Sequence, residues 1–533
     1  MVKPYLNKIG GEVDNDVSMF TGGLNTYVNK AFLEADQMPY VMNMTISQPP
    51  ALRTRDARTS LSDKFPNKHY TWASDKIISM FAYNQKYIYF FINVSETNTY
   101  HLFLLLKNST TGDYDQYDLA SIPSSYEKPY FTFVKTGLLE YVYFGNENFK
   151  GKALLGNTDP ALAVHIFDDN HYGIPVWHKN RLFLAKPTTG AIEWSNALLP
   201  DDFSIGPGGD SGELYINSTR GKITGLATFD DKLMVFCEHS THAIYGHSGV
   251  PSDANYFQVV DILGKIGCLS MDHITVSGGF MYWLGDDKQV YEYTGSYINV
   301  VSKPSTTRNS TISVGGINNA IETMNVTTLM ATTDKLYVDT ATGYMFVFDT
   351  HNRTWWCEDG GFSTLANFSY DLSNLLMATN EGDIQIYGVW GGTGWDRVYD
   401  WEAGTITTKQ IEYEFHTRVY GADGADLRET LSDIWLQMYV QRAGGSVYIN
   451  DEWCDVEKTW PNRELDENRW KKIGEYSINP TMGGIMTYSN GSYEQKRFIV
   501  EKMFGQRLNT FQIIVKGTNY AEFYLMKRKW RVS

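Results

Sequence analysis

Within residues 221–246, GKITGLATFDDKLMVFCEHSTHAIYG, apolar positions fall in three short runs separated by turn formers. Residues 223–229 are mostly apolar or small, Asp230-Asp231-Lys232 interrupts them, and Leu233-Met234-Val235-Phe236 resumes. Short acidic side chains tolerate the left-handed conformation and bond their own backbone, so the Asp pair predicts a tight turn and the flanks a hairpin. After Cys237-Glu238-His239-Ser240 the chain turns again, and Ala243-Ile244-Tyr245-Gly246 supplies a third strand. Three or four short antiparallel strands in about 25 residues is the spacing of a propeller blade.

The pattern recurs. Residues 279–284 (GFMYWL) lead through Gly285-Asp286-Asp287-Lys288 to Gln289-Val290-Tyr291-Glu292-Tyr293. Residues 333–338 lead through Ala341-Thr342-Gly343 to 344–348 and Trp355-Trp356, and residues 179–185 lead through Thr188-Thr189-Gly190 to Ile192-Glu193-Trp194. Such units cannot bury an apolar face alone and must stack around an axis or along a solenoid. Further strands are predicted at 76–80, 87–94, 101–107, 131–134 and 138–144. A span of roughly 330 residues, at about 40 to 50 per blade, gives six to eight blades.

The two ends differ from this middle. Up to about Ser60 periodicity is poor and turn formers are frequent, which predicts an extended arm with one or two short strands. Residues 390–404, WGGTGWDRVYDWEAG, mark a boundary. Beyond it Ile434, Leu436, Met438 and Val440 alternate with polar residues, as do Phe511, Ile513 and Val515, which predicts sheets with one face buried. The expected fold is therefore all-β: an arm over residues 1–60 serving the propeller or neighbouring molecules, a β-propeller over 61–400, and a C-terminal β-sandwich over 401–533.

Composition agrees: 36 Tyr, 27 Phe and 14 Trp with 46 Gly suit strands and tight turns. The formal charge of −15 argues against a surface that grips nucleic acid, since phosphate binding needs clustered Lys and Arg. Cys237, Cys268, Cys357 and Cys454 are widely spaced, so neither a metal knuckle nor a disulfide framework is expected. The first residues lack the apolar stretch of a secretory leader, and no run of roughly 18 apolar residues predicts a membrane anchor.

A resemblance adds to this reading. Gly22-Gly23-Leu24-Asn25-Thr26, then Pro39 and Asn43, then Ala51-Leu52-Arg53-Thr54-Arg55 resemble the N-termini of tailed-bacteriophage virion proteins: the tail hub, tail nozzle and packaged-DNA-stabilisation proteins of short-tailed phages. Arg181-Leu182-Phe183, Ile192-Glu193-Trp194-Ser195 and Pro200-Asp201-Asp202-Phe203 are similar to a strand, W-S, P-x-D-F passage of that group, and residues 223–236 to its next blade. The resemblance implies a structural virion protein made in the bacterial cytoplasm. It also implies a homo-oligomeric ring, commonly a hexamer, that meets portal, adaptor and other tail proteins and forms the genome's exit channel. DNA would pass without sequence-specific binding, because carboxylates facing a lumen repel phosphates.

The candidates for chemistry are weak beside this. Residues 206–212, GPGGDSG, lack the Lys-Ser/Thr ending of a phosphate loop. His239, His242 and His247, and His165, His171 and His178, form loose groups without metal-ligand spacing. Asp168-Asp169, Asp201-Asp202, Asp230-Asp231 and Asp286-Asp287 would suit a glycosidase by count, yet all fall in predicted turns. Trp355, Trp356, Trp390 and Trp395 would stack on sugars if exposed, and otherwise close blades or pack domains. No catalytic, cofactor or metal residue is assigned, and no enzyme activity is expected; the alternative is a carbohydrate-active propeller, either a glycan-cleaving enzyme or a receptor-binding lectin.

Overall fold

The computed structural model describes residues 14–27, 33–47, 51–62, 76–94, 97–123, 127–157, 159–206, 209–216, 218–306, 313–368, 374–388, 394–400, 403–421, 429–450, 471–477, 496–500, 506–508 and 510–532. Among the described residues seven sheets of four or more strands follow one another from Lys76 to Tyr387, with a two-stranded ribbon, Ser305–Thr306 and Ser313–Val314, between the fifth and sixth. Their first strands are Lys76–Tyr83, Tyr130–Thr136, Ile174–His178, Ile223–Phe229, Ile274–Ser277, Val326–Ala331 and Phe362–Asn367, here blades 1 to 7. Each first strand lies against the next, and that of blade 7 lies against that of blade 1, so they line a closed ring. The chain is a seven-bladed β-propeller, within the range its length predicts.

Why the strands form is plainest in blade 4. Ile223–Phe229 pairs with Lys232–Cys237 around Asp230, whose φ of 56° is the left-handed turn expected of a short acidic side chain. All six residues of Lys232–Cys237 are buried, not every second one. Neighbouring blades cover both faces of each sheet, so middle strands become continuous apolar runs and lose the alternation of a half-solvated strand.

The start of the chain closes the ring. Arg58–Ser60 pairs antiparallel with Ile384–Tyr387 as the fourth strand of blade 7. The sheet then continues through Trp395–Asp400 to Thr405–Gln410, past the expected boundary at 400. The arm is also more structured than expected. Its strands Asp14–Ser18, Gly23–Leu24, Gln37–Met38, Tyr40–Met42, Met44–Ser47, Ala51–Thr54 and Arg58–Ser60 replace the one or two predicted, because non-local partners supply the pairing that weak local periodicity does not reveal.

The C-terminal strands join one hydrogen-bonded network of eleven strands built around Glu429–Asn450 and Thr510–Val532. Register shifts between Leu431 and Asp433, Gln437 and Met438, and Gln441 and Gly444 interrupt the long pair, and such bulges bend and twist a strand. Arm strands Asp14–Ser18 and Ala51–Thr54 pair with the second long strand, and Tyr40–Met42 pairs with Glu412–His416. Phe511, Ile513 and Val515 are buried as predicted, but so are Gln512 and Ile514, so both faces of this stretch are covered. Side chains at 434, 436, 438 and 440 lie outside the described residues. Phe20, Val41, Met44 and Leu52 of the arm share one apolar core with Trp355 of blade 6 and with Phe415, Phe511 and Phe523.

Candidate functional site

A charged constellation sits where arm, blade 6 and blade 7 meet. The Arg55 guanidinium, buried among them, donates to Asp396 through both terminal nitrogens at 2.9 and 2.6 Å. Its Nε donates to Asn43 Oδ1 and Asp359 Oδ1, both at 3.0 Å. Arg58 reaches Glu358 at 3.3 Å and the Asp359 carbonyl at 2.6 Å, and lies over the Phe362 ring at 5.0 Å. Tyr387 donates its hydroxyl to Glu358 at 2.7 Å. Burial would raise the Asp359 carboxyl, yet Arg55 and Arg58 hold it well below the ordinary range. Arg55, Arg58, Glu358 and Asp396 are buried and fixed in one geometry, while Asp359, 43% exposed, is held ionised by the two guanidiniums.

A second constellation has the connectivity of a hydrolytic triad. Ser240 Oγ lies 2.8 Å from His242 Nε2, and His242 Nδ1 lies 2.7 Å from Asp261 Oδ1. The exposure is inverted. Ser240 and Cys237 across its turn are fully buried, whereas Asp261 faces solvent. A nucleophile must meet its substrate, so the chain of bonds cross-links strands instead of activating Ser240. Burial pushes the Cys237 thiol up to about 11, which keeps it unreactive.

The carboxylate pairs of the sequence are spread over separate turns, each with its own task. Asp169 accepts from Lys150 at 3.1 Å and from the His171 amide at 2.9 Å. Asp201 accepts from the Tyr143 hydroxyl at 2.6 Å and pairs with Lys152. Asp286 lies 2.7 Å from His239 Nδ1, and Asp287 accepts from the Tyr291 hydroxyl at 2.7 Å. His178 is buried, which pushes it down to about 4. Among the described residues no three His, Cys, Asp or Glu side chains are grouped to hold a metal. Trp355 and Trp356 are buried, the first donating to the Val301 carbonyl at 2.8 Å, so they close a blade and offer no sugar platform. Trp390 lies outside the described residues, as do Pro207 and Gly208 of the glycine-rich loop.

Two surfaces remain. The turns between first and second strands, and between third and fourth, lie at one end of a propeller. On blades 2 to 5 those turns expose Leu138 (100%), Leu162 (80%), Leu198, Leu199, Ile205 (82%), Val250 and Tyr297 (73%). Along the axis a cavity of about 470 Å³ is lined by the first strands of blades 1, 2, 6 and 7 and by Lys128, Met271, Asp272 and Ile274. Sequence periodicity finds neither, since both depend on which turns and which inner strands become neighbours around the ring.

No family model matches the chain, and no curated protein matches it. Among solved structures it is similar to the WD40 repeats of RRP9, at 8% identity and a TM-score of 0.38 over 63% of this chain and 99% of that one. It is similar to BamB from Moraxella catarrhalis at 12% identity and a TM-score of 0.35, over 65% and 93% of the two chains. Raptor from Chaetomium thermophilum gives 11% identity and a TM-score of 0.41, over 63% of this chain and 28% of that one. Likeness this distant concerns the fold alone. Among the described residues no helix is long and apolar enough to cross a membrane.

Proposed function

We propose that the chain is a structural virion protein, a subunit of the ring that forms the hub or nozzle of a short bacteriophage tail beneath portal and adaptor. The observation that carries this reading is the use to which the phage-like motif residues are put. Arg55 ties arm to blades, Trp194 Nε1 donates to the Asp210 carbonyl at 2.8 Å, and Ser195 Oγ accepts from the Leu182 amide at 3.0 Å. Each is a tie within the scaffold, and none lines a reactive cleft. Charge adds support. Residues 1–400 hold 28 Lys and Arg against 43 Asp and Glu, while residues 401–533 hold 18 of each, so the whole excess of −15 falls on arm and propeller. An acidic wall disfavours adhesion of a passing duplex.

The apolar end of blades 2 to 5 is where a second copy would bury surface in a heterologous ring closed by rotation. The test is the mass of the purified full chain by light scattering, followed by microscopy of the virion. A closed ring is expected, and the triple variant L138S/I205S/Y297S is expected to remain folded and lose it. A wild-type protein that stays monomeric at high concentration and is absent from virions would overturn the reading.

A further inference from the structure

The outer edges of the blades are protected unequally. The far side of each outermost strand can accept a further strand, and natural sheets blunt such edges with short strands, charges, Pro or a covering segment. Blade 1 ends in Tyr114–Pro123, which carries Asp115 and Asp118 and closes on Pro123. Blades 2, 3 and 5 end in Val164–Ile166, Gly212–Tyr215 and Ile298–Val300, of only three or four residues. The outer strand of blade 6, Thr354–Asp359, is buried beneath the arm, whose Asn43 amide donates to the Cys357 carbonyl at 2.8 Å. Blade 4 is the exception. Its outer strand Gln258–Leu263, QVVDIL, pairs among the described residues with Ser240–Tyr245 alone, and a register shift disturbs only its last residues. Gln258, Val259, Val260 and Asp261 are all exposed. Neighbours in a strand point to opposite faces, so the two valines leave apolar surface open on both. A second edge is open at the far end of the blade 7 sheet. Thr405–Gln410, TITTKQ, pairs among the described residues with Trp395–Asp400 alone, and all of it but Ile406 is exposed.

We propose that the outer strand of blade 4 pairs antiparallel with Thr405–Gln410 of a second copy of this chain, so that blade 4 of one subunit and blade 7 of its neighbour become one sheet. The inference rests on the proposed ring and supplies what its interface lacks, since a heterologous contact needs two different surfaces and only the apolar end of blades 2 to 5 has been named. The two edges are of equal length and rich in the β-branched residues that suit a pleated ladder. Full antiparallel overlap sets Val260 opposite Thr408 and Asp261 opposite Thr407, which places Lys409 diagonally from Asp261 on the same face. Opposite charges at that spacing favour this pairing. Asp261, beside His242 and Arg220, remains 59% exposed. The contact is also continuous with the apolar end, because Val250 lies in the turn that leads into Gln258. Pairing of either edge with its own copy would stop at a two-fold dimer, whereas pairing of one with the other leaves each subunit an edge for the next.

The test is cross-linking of the full-length protein. All variants carry Cys454→Ser, and the other natural cysteines, Cys237, Cys268 and Cys357, are buried. Val260→Cys and Thr408→Cys are prepared singly, then mixed and oxidised, because paired Cα atoms lie about 4.5–5.5 Å apart, within reach of a disulfide. A covalent dimer is expected from the mixture and from neither variant alone, and a ladder of multimers from the double variant V260C/T408C. Val260→Lys, which restores a charge to the edge, is expected to shift assembly to at least about tenfold higher protein concentration by light scattering. Should that variant fail to fold by circular dichroism, the cross-link decides alone. Rings that form without the mixed cross-link would overturn the strand pairing and leave the proposed ring standing, and so would cross-linking of Val260→Cys to itself alone. A chain that stays monomeric would remove both.

Discussion

Blades 6 and 7 and blades 2 and 3 hold together by opposite means. At the first junction the arm threads Arg55 and Arg58 between Glu358, Asp359 and Asp396, and the side chains of Arg55, Arg58, Glu358 and Asp396 are all under 10% exposed. At the second Lys150, fully buried, lies 4.4 Å from the Phe167 ring centre and 4.8 Å from that of Phe203, with Asp169 one-third exposed beside it. The difference is one of reach. Strands from residues 51–60 must be held to blades that the chain builds some 300 residues later, and charge specifies a single register where apolar contact alone would tolerate slippage. Blades 2 and 3 are consecutive, need no such specification, and use a cation between rings.

The comparison breaks most visibly at Arg55. Removing the cation of a buried pair leaves the carboxylate's charge uncompensated: Asp396, only 7% exposed, would keep the Arg58 amide but lose both guanidinium bonds, and Asn43 Oδ1 would keep only the Asp359 amide. Arg55→Ala is expected to cost about 3–5 kcal/mol, read by urea denaturation, and Arg55→Met to cost nearly as much because the stranded carboxylate is unchanged. A loss below about 1 kcal/mol would mean that water reaches the junction and the buried pair adds little.

Asp339 of blade 6 gives the next largest effect. Burial pushes its carboxyl up to about 6, although the Gly361 and Phe362 amides donate to it at 2.9 and 2.8 Å and draw it the other way. A folded value above the unfolded one means that the folded chain binds the proton more tightly. The contribution of this group is therefore fully present below about pH 4 and is lost as pH rises through 6. Asp359, held low by Arg55 and Arg58, acts oppositely, its contribution being present above its unfolded value near 3.8 and lost on further acidification. His178, pushed down to about 4, loses stability on acidification from its ordinary range. Subtracting the pH profile of Asp339→Asn from that of the wild type cancels these other groups. The difference should fall by about 2–3 kcal/mol from pH 4 to pH 7; parallel profiles would show that Asp339 titrates normally.

How far the sequence carried this picture follows from the same contrast. The blades are legible because hairpins are local: Asp230 and the apolar runs around it specify a turn and two strands within a few residues. The arm is not, because Arg58–Ser60 gains its partners only when blade 7 exists. Arg53 and Arg55 stand out in the sequence, but nothing in the spacing points to Asp359 or Asp396. His242 was visible as one of a loose group, while its bonds to Ser240 and Asp261 required the register of blade 4. Tyr83 and Phe133 look like ordinary strand aromatics until a closed ring sets their strands side by side.

The smallest expected effect is at Lys150, and it separates a specifying charge from a dispensable one. Burial pulls the ammonium below its ordinary range, with Asp169 only partly restoring it, so the charge is held at a cost. Replacing it by Met keeps the length of the stem and its packing on Phe167 and Phe203, and thioether contacts with the rings replace the cation. Asp169 is not stranded, since it is one-third exposed and still accepts from the His171 amide. Lys150→Met should therefore lie within about 1 kcal/mol of the wild type or be slightly more stable, as apolar replacements of buried pairs are. A loss of about 3 kcal/mol, as large as that at Arg55, would place both junctions in one class and remove the contrast between arm closure and blade stacking.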